Sequence, residues 1–326
     1  MVKVVIMSPK DGYDKFQIPL PKDWDVTFVD YTASEAVKKE AFASAEYAIL
    51  SSFQGLSGEI IRSCPRLKLI QMDGAGFNGI DLPATQEMGI PVCNNRTANI
   101  PSVSEHHVGL ILAGLRRTAV LDRELKKGNY AACLKEYRAV GARDLSQLKV
   151  GLVGIGAIGK EVARRLEGFG CRKYYYDVFR PAPETEKALN VEYMEFDELL
   201  STCDVISICV PLLPSTYNMI GEEQLEKIKT GALLINTARG EVVNTPALCR
   251  ALERGVYACV DTVDVEPMPA DHPFLQMSEA ARDRLILTPH VAGVTDDSLQ
   301  RMMLGAVENV DRMVRGEPIV NIVNGK

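Results

Sequence analysis

Short aliphatic and β-branched runs recur along the chain, and several are apolar throughout instead of alternating with polar positions. Strands read this way when helices cover both faces of their sheet. The runs predict strands at Lys3–Met7, Val26–Asp30, Tyr47–Ser51, Leu67–Met72, Val150–Val153, Lys173–Tyr176, Val205–Cys209, Ala232–Asn236, Val256–Asp261 and Leu285–Leu287. Between them, Ser34–Phe42, Ala157–Gly168 and Pro246–Gly255 carry apolar residues at helical spacing. Strands alternating with helices predict an α/β protein with mostly parallel sheets.

One segment breaks that rhythm. Pro101–Lys127 is apolar-periodic without Gly-Pro punctuation and predicts one long helix, with Pro101 in its first turn and Asn99 as a cap. A second long helical stretch, Asp296–Arg315, lies near the end of the chain. Two long helices flanking a central block predict a discontinuous layout. One domain takes residues 1–99 and is completed by 291–326, and the other takes residues 100–290.

The central block opens on a phosphate-binding pattern. Val150–Val153 runs into Gly154-Ile155-Gly156-Ala157-Ile158-Gly159 and then into a helix. The first glycine permits a tight turn, the second lets backbone approach a pyrophosphate, and the third allows close helix–strand packing. Phosphates then rest on the N–H groups that begin the helix. A second strand ends in Asp177, 18 residues past Gly159, where a carboxylate holds the adenosine ribose hydroxyls. That charge repels a 2′-phosphate and favours NAD over NADP, although Arg180 stands three residues on.

The chain has 326 residues, 46% of them hydrophobic and 25% charged, as in ordinary globular proteins of about two domains. A net charge of −6 gives no electrostatic footprint for nucleic acid or an anionic membrane surface. The start MVKVVIMSPK reads as a strand, not a leader, and no apolar run is long enough to span a bilayer, so a cytoplasmic protein is expected. Eight scattered cysteines without a CxxC pair read as buried small hydrophobes, and four histidines without HExxH predict no metal site.

Three later segments carry polar groups straight after apolar runs, where α/β sheets place ligands. They are Asn236-Thr237-Ala238-Arg239-Gly240, Asp261-Thr262-Val263-Asp264-Val265-Glu266-Pro267 and Leu287-Thr288-Pro289-His290-Val291-Ala292-Gly293. With the glycine motif and Ser102–His107, their order and spacing resemble the D-isomer-specific 2-hydroxyacid dehydrogenases along nearly the whole chain. The resemblance implies two doubly wound parallel-sheet domains, a Rossmann NAD-binding domain inserted into a flavodoxin-like substrate domain. It implies His290 as acid and base, Glu266 holding the imidazole in one tautomer, and Arg239 binding the substrate carboxylate and carbonyl. It further implies that Ala75 and Gly76, in the loop Asp73-Gly74-Ala75-Gly76-Phe77-Asn78, bind the substrate carboxylate. Pro211, Thr216, Thr237, Ala238, Asp261 and Gly293 would line the cofactor, with Asp261 at the nicotinamide amide. His106 is read as structural, and His107 and His272 as structural or exposed. Relatives are commonly homodimers, so a homodimer is expected.

Departures from particular members narrow the substrate. Formate dehydrogenases carry Gln where Glu266 stands, and phosphite dehydrogenases carry Lys in the glycine loop, which has none here. The Arg-Ser pair that helps 3-phosphoglycerate dehydrogenases hold a phosphate is replaced by Ser51-Ser52-Phe53-Gln54, and no regulatory domain is expected. A small unphosphorylated 2-keto acid is therefore expected, with Phe53 near its side chain. The alternatives are an NAD(H)-sensing binding protein like the corepressors of the same superfamily, or 3-phosphoglycerate or hydroxypyruvate/glyoxylate reductase-type activity.

Overall fold

The computed structural model describes residues 1–30, 32–52 and 54–325. Phe53, expected near the substrate side chain, lies outside the described residues. The strands are β1 (Val2–Met7), β2 (Trp24–Phe28), β3 (Tyr47–Leu50), β4 (Leu69–Met72), β5 (Val92–Cys93), β6 (Lys149–Val153), β7 (Arg172–Tyr176), β8 (Val191–Tyr193), β9 (Val205–Ile208), β10 (Leu233–Asn236), β11 (Tyr257–Val260) and β12 (Leu285–Leu287). The helices begin with α1 (Lys10–Lys15), α2 (Glu35–Phe42), α3 (Gly58–Arg62), α4 (Leu82–Glu87), α5 (Ile100–Leu115), α6 (Thr118–Lys126), α7 (Tyr130–Val140) and α8 (Ala157–Arg165). They continue with α9 (Pro183–Leu189), α10 (Phe196–Thr202), α11 (Glu222–Lys227), α12 (Thr245–Glu253), α13 (Pro273–Gln276), α14 (Glu279–Arg282) and α15 (Asp296–Val314). The chain divides into two compact units, Met1–Ile100 with Val294–Lys326, and Pro101–Gly293.

The first unit holds a five-stranded parallel sheet in the order β2-β1-β3-β4-β5, which is doubly wound in the flavodoxin manner. Side chains alternate across a strand, so each strand feeds two cores. Val5 and Met7 pack with Leu50, Met72, Phe42, Ile60 and Ile61 on one face. Val4 and Ile6 pack with Ile49, Leu69 and the Met303, Ala306, Val307 and Val310 stripe of α15 on the other. This is why β3 and β4 are buried at every position. Gln71 is tolerated inside β4 because its amide donates to the Met72 carbonyl and accepts from Asn309. The side chain of Thr295 caps α15 by accepting from the Ser298 N–H.

The second unit holds seven parallel strands in the order β12-β11-β10-β9-β6-β7-β8. Counted from β6, this is the Rossmann order with a seventh strand added at the β12 edge. Again the strands feed two cores. Leu152, Val205, Leu233 and Ile235 face one core, and Val153, Ile206, Ile208 and Leu234 the other. The strand order reverses between β6 and β9, so the loops after those strands flank the switch point.

Two short strands escape the hydrophobic pattern. Val92–Cys93 and Val191–Tyr193 have two and three residues, too few for a periodic signal. The expected single helix over Pro101–Lys127 is corrected to two. α5 ends at Leu115, Arg117 adopts a left-handed φ of 52°, and α6 follows. No proline and no left-handed glycine breaks the chain there. Instead Arg116 donates to the Tyr137 hydroxyl and Arg117 pairs with Glu136, both on α7, so tertiary contacts override local preference.

Candidate active site

The loop after β6 is built for close backbone approach. Gly154 has a φ of 98°, and a Cβ there would lie 2.9 Å from the Cys209 backbone. A Cβ on Gly159 would lie 2.2 Å from the Gly154 carbonyl oxygen, so α8 packs directly on the turn. A Cβ on Gly156 would meet nothing within 4 Å, so this glycine opens onto free space. Among the described residues the N–H groups of Gly156, Ala157 and Ile158 donate to nothing, which leaves three donors at the start of a helix nine residues long. These donors fit a pyrophosphate.

Asp177, directly after β7, accepts from the Ile155 N–H at 2.8 Å and the Phe179 N–H at 3.0 Å, one on each oxygen. Each oxygen retains a further acceptor site, as ribose hydroxyls require. Arg180 lies 3.6 Å above the Tyr193 ring, and Val178 and Phe179 are exposed. In the loop after β9, the Thr216 hydroxyl donates to the Pro211 carbonyl at 2.6 Å and accepts from the Leu213 N–H at 2.8 Å. The Pro211–Thr216 loop is thus stapled by one of its own side chains.

After β10, Asn236 folds its amide over the turn, accepting from the Ala238 N–H at 3.0 Å and donating to the Arg239 carbonyl at 2.9 Å. The partly buried Arg239 sends Nη1 to the Ala238 carbonyl at 2.8 Å, which sets the direction of its fork. Gly240 admits no side chain, since a Cβ would lie 2.0 Å from the Val263 carbonyl carbon. The hydroxyl of Thr237 lies 2.8 Å from His107 Nδ1. Burial, with the charge of His106 as a lesser cause, pushes His107 down to about 3, so its imidazole is neutral and structural. His272 is structural as well, capping α13 and pairing with Asp264 at 2.8 Å.

His290 follows β12 with a φ of 54°, a conformation uncommon for residues other than glycine. Its N–H donates to the Asp261 carbonyl at 2.7 Å, and its Nδ1 lies 2.7 Å from Glu266 Oε2. The other Glu266 oxygen accepts from the Val263 N–H at 3.2 Å. Beneath this pair, the Asp261 side chain is wholly buried. It accepts from the Thr288 hydroxyl and from the N–H groups of Val291 at 3.0 Å and Ala292 at 2.9 Å, just ahead of Gly293. His106 Nε2 reaches Thr288 Oγ1 at 3.2 Å and Asp261 Oδ1 at 3.5 Å. Burial alone would raise the Asp261 carboxyl, but the bonds from His106, Thr288, Ala292 and Val291 outweigh it and hold it low.

The structure therefore brings His290 and Glu266 into direct contact, with His290 tied to the Asp261 carbonyl and Glu266 to the Val263 N–H. Arg239 stands in the turn after β10, the strand paired with β11, and Gly240 lies against the loop after β11. Asn236 and Thr288 belong to the same machinery, though the sequence reading gave neither a role. The signal for Asn236 was an Asn ending a strand before a turn. Thr288 had no signal in one dimension.

In the first unit, the loop after β4 is pinned from three sides. Ser52 Oγ accepts from the Gly74 N–H at 2.7 Å, Asn95 N–H donates to the Gly74 carbonyl at 2.8 Å, and Asn94 donates to the Ala75 carbonyl at 2.9 Å. The N–H groups of Ala75 and Gly76 have no partner among the described residues. The eight cysteines are free. Burial pushes the Cys203, Cys209 and Cys259 thiols to about 12, which makes them poor nucleophiles. Among the described residues no group of His, Cys, Asp and Glu could hold a metal ion, and no helix is long and apolar enough to cross a membrane.

Residues 108–292 match the family described as D-isomer specific 2-hydroxyacid dehydrogenase, NAD binding domain. A glyoxylate reductase of Thermofilum pendens is 37% identical over 271 residues, covering 82% of this chain and 78% of the relative. A glycerate dehydrogenase of Methylorubrum extorquens is 33% identical over 329 residues, covering 98% of each. Among solved structures, the D-lactate dehydrogenase from Aquifex aeolicus complexed with NAD and lactic acid superposes with a TM-score of 0.85 at 31% identity, covering 99% of each chain.

Proposed function

The chain belongs to the D-isomer specific 2-hydroxyacid dehydrogenases and is an NAD-dependent oxidoreductase; from that premise we propose that it interconverts a small, unphosphorylated 2-keto acid and its D-2-hydroxy acid through His290, Glu266 and Arg239. The observation that carries this reading is the 2.7 Å contact of His290 Nδ1 with Glu266 Oε2 on a turn anchored by Asp261.

Bound NADH supplies the hydride for C2 of the keto acid, and NAD accepts it in reverse. Glu266 holds the imidazole by Nδ1 and stabilises its protonated form, so Nε2 is the atom that exchanges a proton. In reduction Nε2 gives that proton to the substrate carbonyl oxygen, and in oxidation it takes the hydroxyl proton. Arg239 offers a planar fork to the substrate carboxylate and to the oxygen that gains negative charge. In the first unit the N–H groups of Ala75 and Gly76 are assigned to the carboxylate. Pyrophosphate is assigned to Gly154, Gly156, Ala157, Ile158 and Gly159, and ribose to Asp177. Pro211, Thr216, Thr237, Ala238 and Gly293 line the cofactor. Asp261 is assigned to the nicotinamide end, where its side chain acts by fixing the 288–292 turn. NADP is disfavoured by the Asp177 charge, and Arg180 rests on Tyr193.

The relatives named for glyoxylate and glycerate support a keto acid of that size, glyoxylate or hydroxypyruvate. A homodimer is part of the same reading, supported by exposed Tyr130, Leu134 and Val140 on α7. Eight free thiols support a reducing, cytoplasmic setting. The test follows NADH absorbance with glyoxylate, hydroxypyruvate, pyruvate, 2-ketoisocaproate and phenylpyruvate. Oxidation is expected with the smaller acids. Tight NADH binding with no oxidation by any of them would favour a sensor instead.

A further inference from the structure

A loop suited to anions begins, in this protein, with an anion of its own. Asp73 is the first residue of the 73–76 loop, and Oδ1 accepts from the Ser52 N–H at 2.8 Å and the Ser52 hydroxyl at 3.1 Å. The same hydroxyl accepts from the Gly74 N–H. At the start of the loop the Asp73 N–H is spent on the Leu50 carbonyl at 2.8 Å, and the Gly74 N–H is turned toward the Asp73 carboxylate through Ser52. The N–H groups of Ala75 and Gly76 alone remain of the loop's first four, among the described residues. The arrangement is tight, because a Cβ on Gly74 would lie 2.5 Å from Ser52 Oγ and 2.6 Å from Met302 Cε.

We infer that Asp73 is a specificity-determining residue: it places a fixed negative charge beside the Ala75 and Gly76 donors, which selects singly charged substrates over doubly charged ones. This rests on the proposal that the loop receives the substrate carboxylate. Two charges a few ångströms apart in partly desolvated protein repel strongly enough to change affinity by about tenfold for each added substrate charge. A phosphorylated or dicarboxylic keto acid meets that repulsion twice or more, and a monocarboxylic one meets it once.

Burial raises the Asp73 carboxyl to about 6 despite the bonds from Ser52 and Gly74. The filter is therefore on at neutral pH and off in mild acid. The titratable group facing Asp73 is Tyr13 of α1, whose phenol is pushed up by burial and then by the Asp73 charge. The other elements bring Ser52, Asn94, Asn95 and Met302 to the loop, none of which titrates.

The test compares the full-length wild type with Asp73→Asn, which keeps an acceptor for Ser52, at saturating NADH with glyoxylate and oxaloacetate. At about pH 8 the variant is expected to lower KM for oxaloacetate about tenfold more than for glyoxylate. The ratio of variant to wild-type KM should close toward one as pH falls through about 6, which a merely structural role would not produce. A second measurement needs no variant: the wild-type preference for glyoxylate over oxaloacetate should narrow across the same range. Turnover with a preference indifferent to both the substitution and pH overturns this inference alone. No turnover of any keto acid by the wild type overturns the reading beneath it, and this inference with it.

Discussion

At the scale of single residues, His290 and Asp73 carry the sharpest expectations. Replacing His290 by Ala should reduce turnover by about 10²–10⁴-fold, the usual worth of a positioned acid–base group. NADH affinity, read by fluorescence titration, should change little, and a large loss would contradict the assigned role. Asp73 makes a prediction about stability with a definite sign. Its carboxyl is higher in the folded chain, at about 6, than the ordinary 3.8. The folded state therefore binds the proton more tightly, and stability falls as pH rises from about 4 through about 6. Asp73→Asn should raise Tm at about pH 8 and lose that gain near pH 4. His290, like Asp177 after β7, was legible because it follows an apolar run inside a spaced motif. The Thr288, His106 and Asp261 cluster was not, since residues 182 positions apart meet only after folding.

At the scale of elements, the β6 turn and α8 form one device. Gly159 cannot take a side chain without moving the Gly154 carbonyl, so Gly159→Ala should tilt the start of α8. NADH affinity should fall by about tenfold or more, with the far-UV spectrum nearly unchanged. Unaltered affinity would show that the α8 N-terminus does not carry the pyrophosphate. The contact of α5 with the end of β10 adds a pH effect. His107 is neutral when folded, pushed by burial to about 3 from an ordinary 6.5, so the unfolded chain takes up the proton first. Stability should therefore decline as pH drops from about 6.5 toward 3, and His107→Asn should flatten that decline in acid melts. The long parallel strands were legible as apolar runs. The break between α5 and α6 was not, because it depends on Arg116 and Arg117 reaching α7.

At the scale of the whole molecule, two doubly wound sheets were legible from the alternation of strand and helix together with the family likeness. The place of α7 was less so, because an amphipathic stripe does not say what covers it. α7 exposes Tyr130, Leu134 and Val140, and the dimer proposal gives them a partner. Changing Tyr130 and Leu134 to Lys should leave single chains in sedimentation velocity, whereas a single-chain wild type would remove that proposal. The most direct test of the central claim is stereochemical. The purified protein is given NAD with the D or the L form of glycerate or lactate, and NADH formation is followed. NADH is expected from the D form only, and none from His290→Ala. Equal rates with the L form, or no NADH from either enantiomer despite bound NAD, would contradict it.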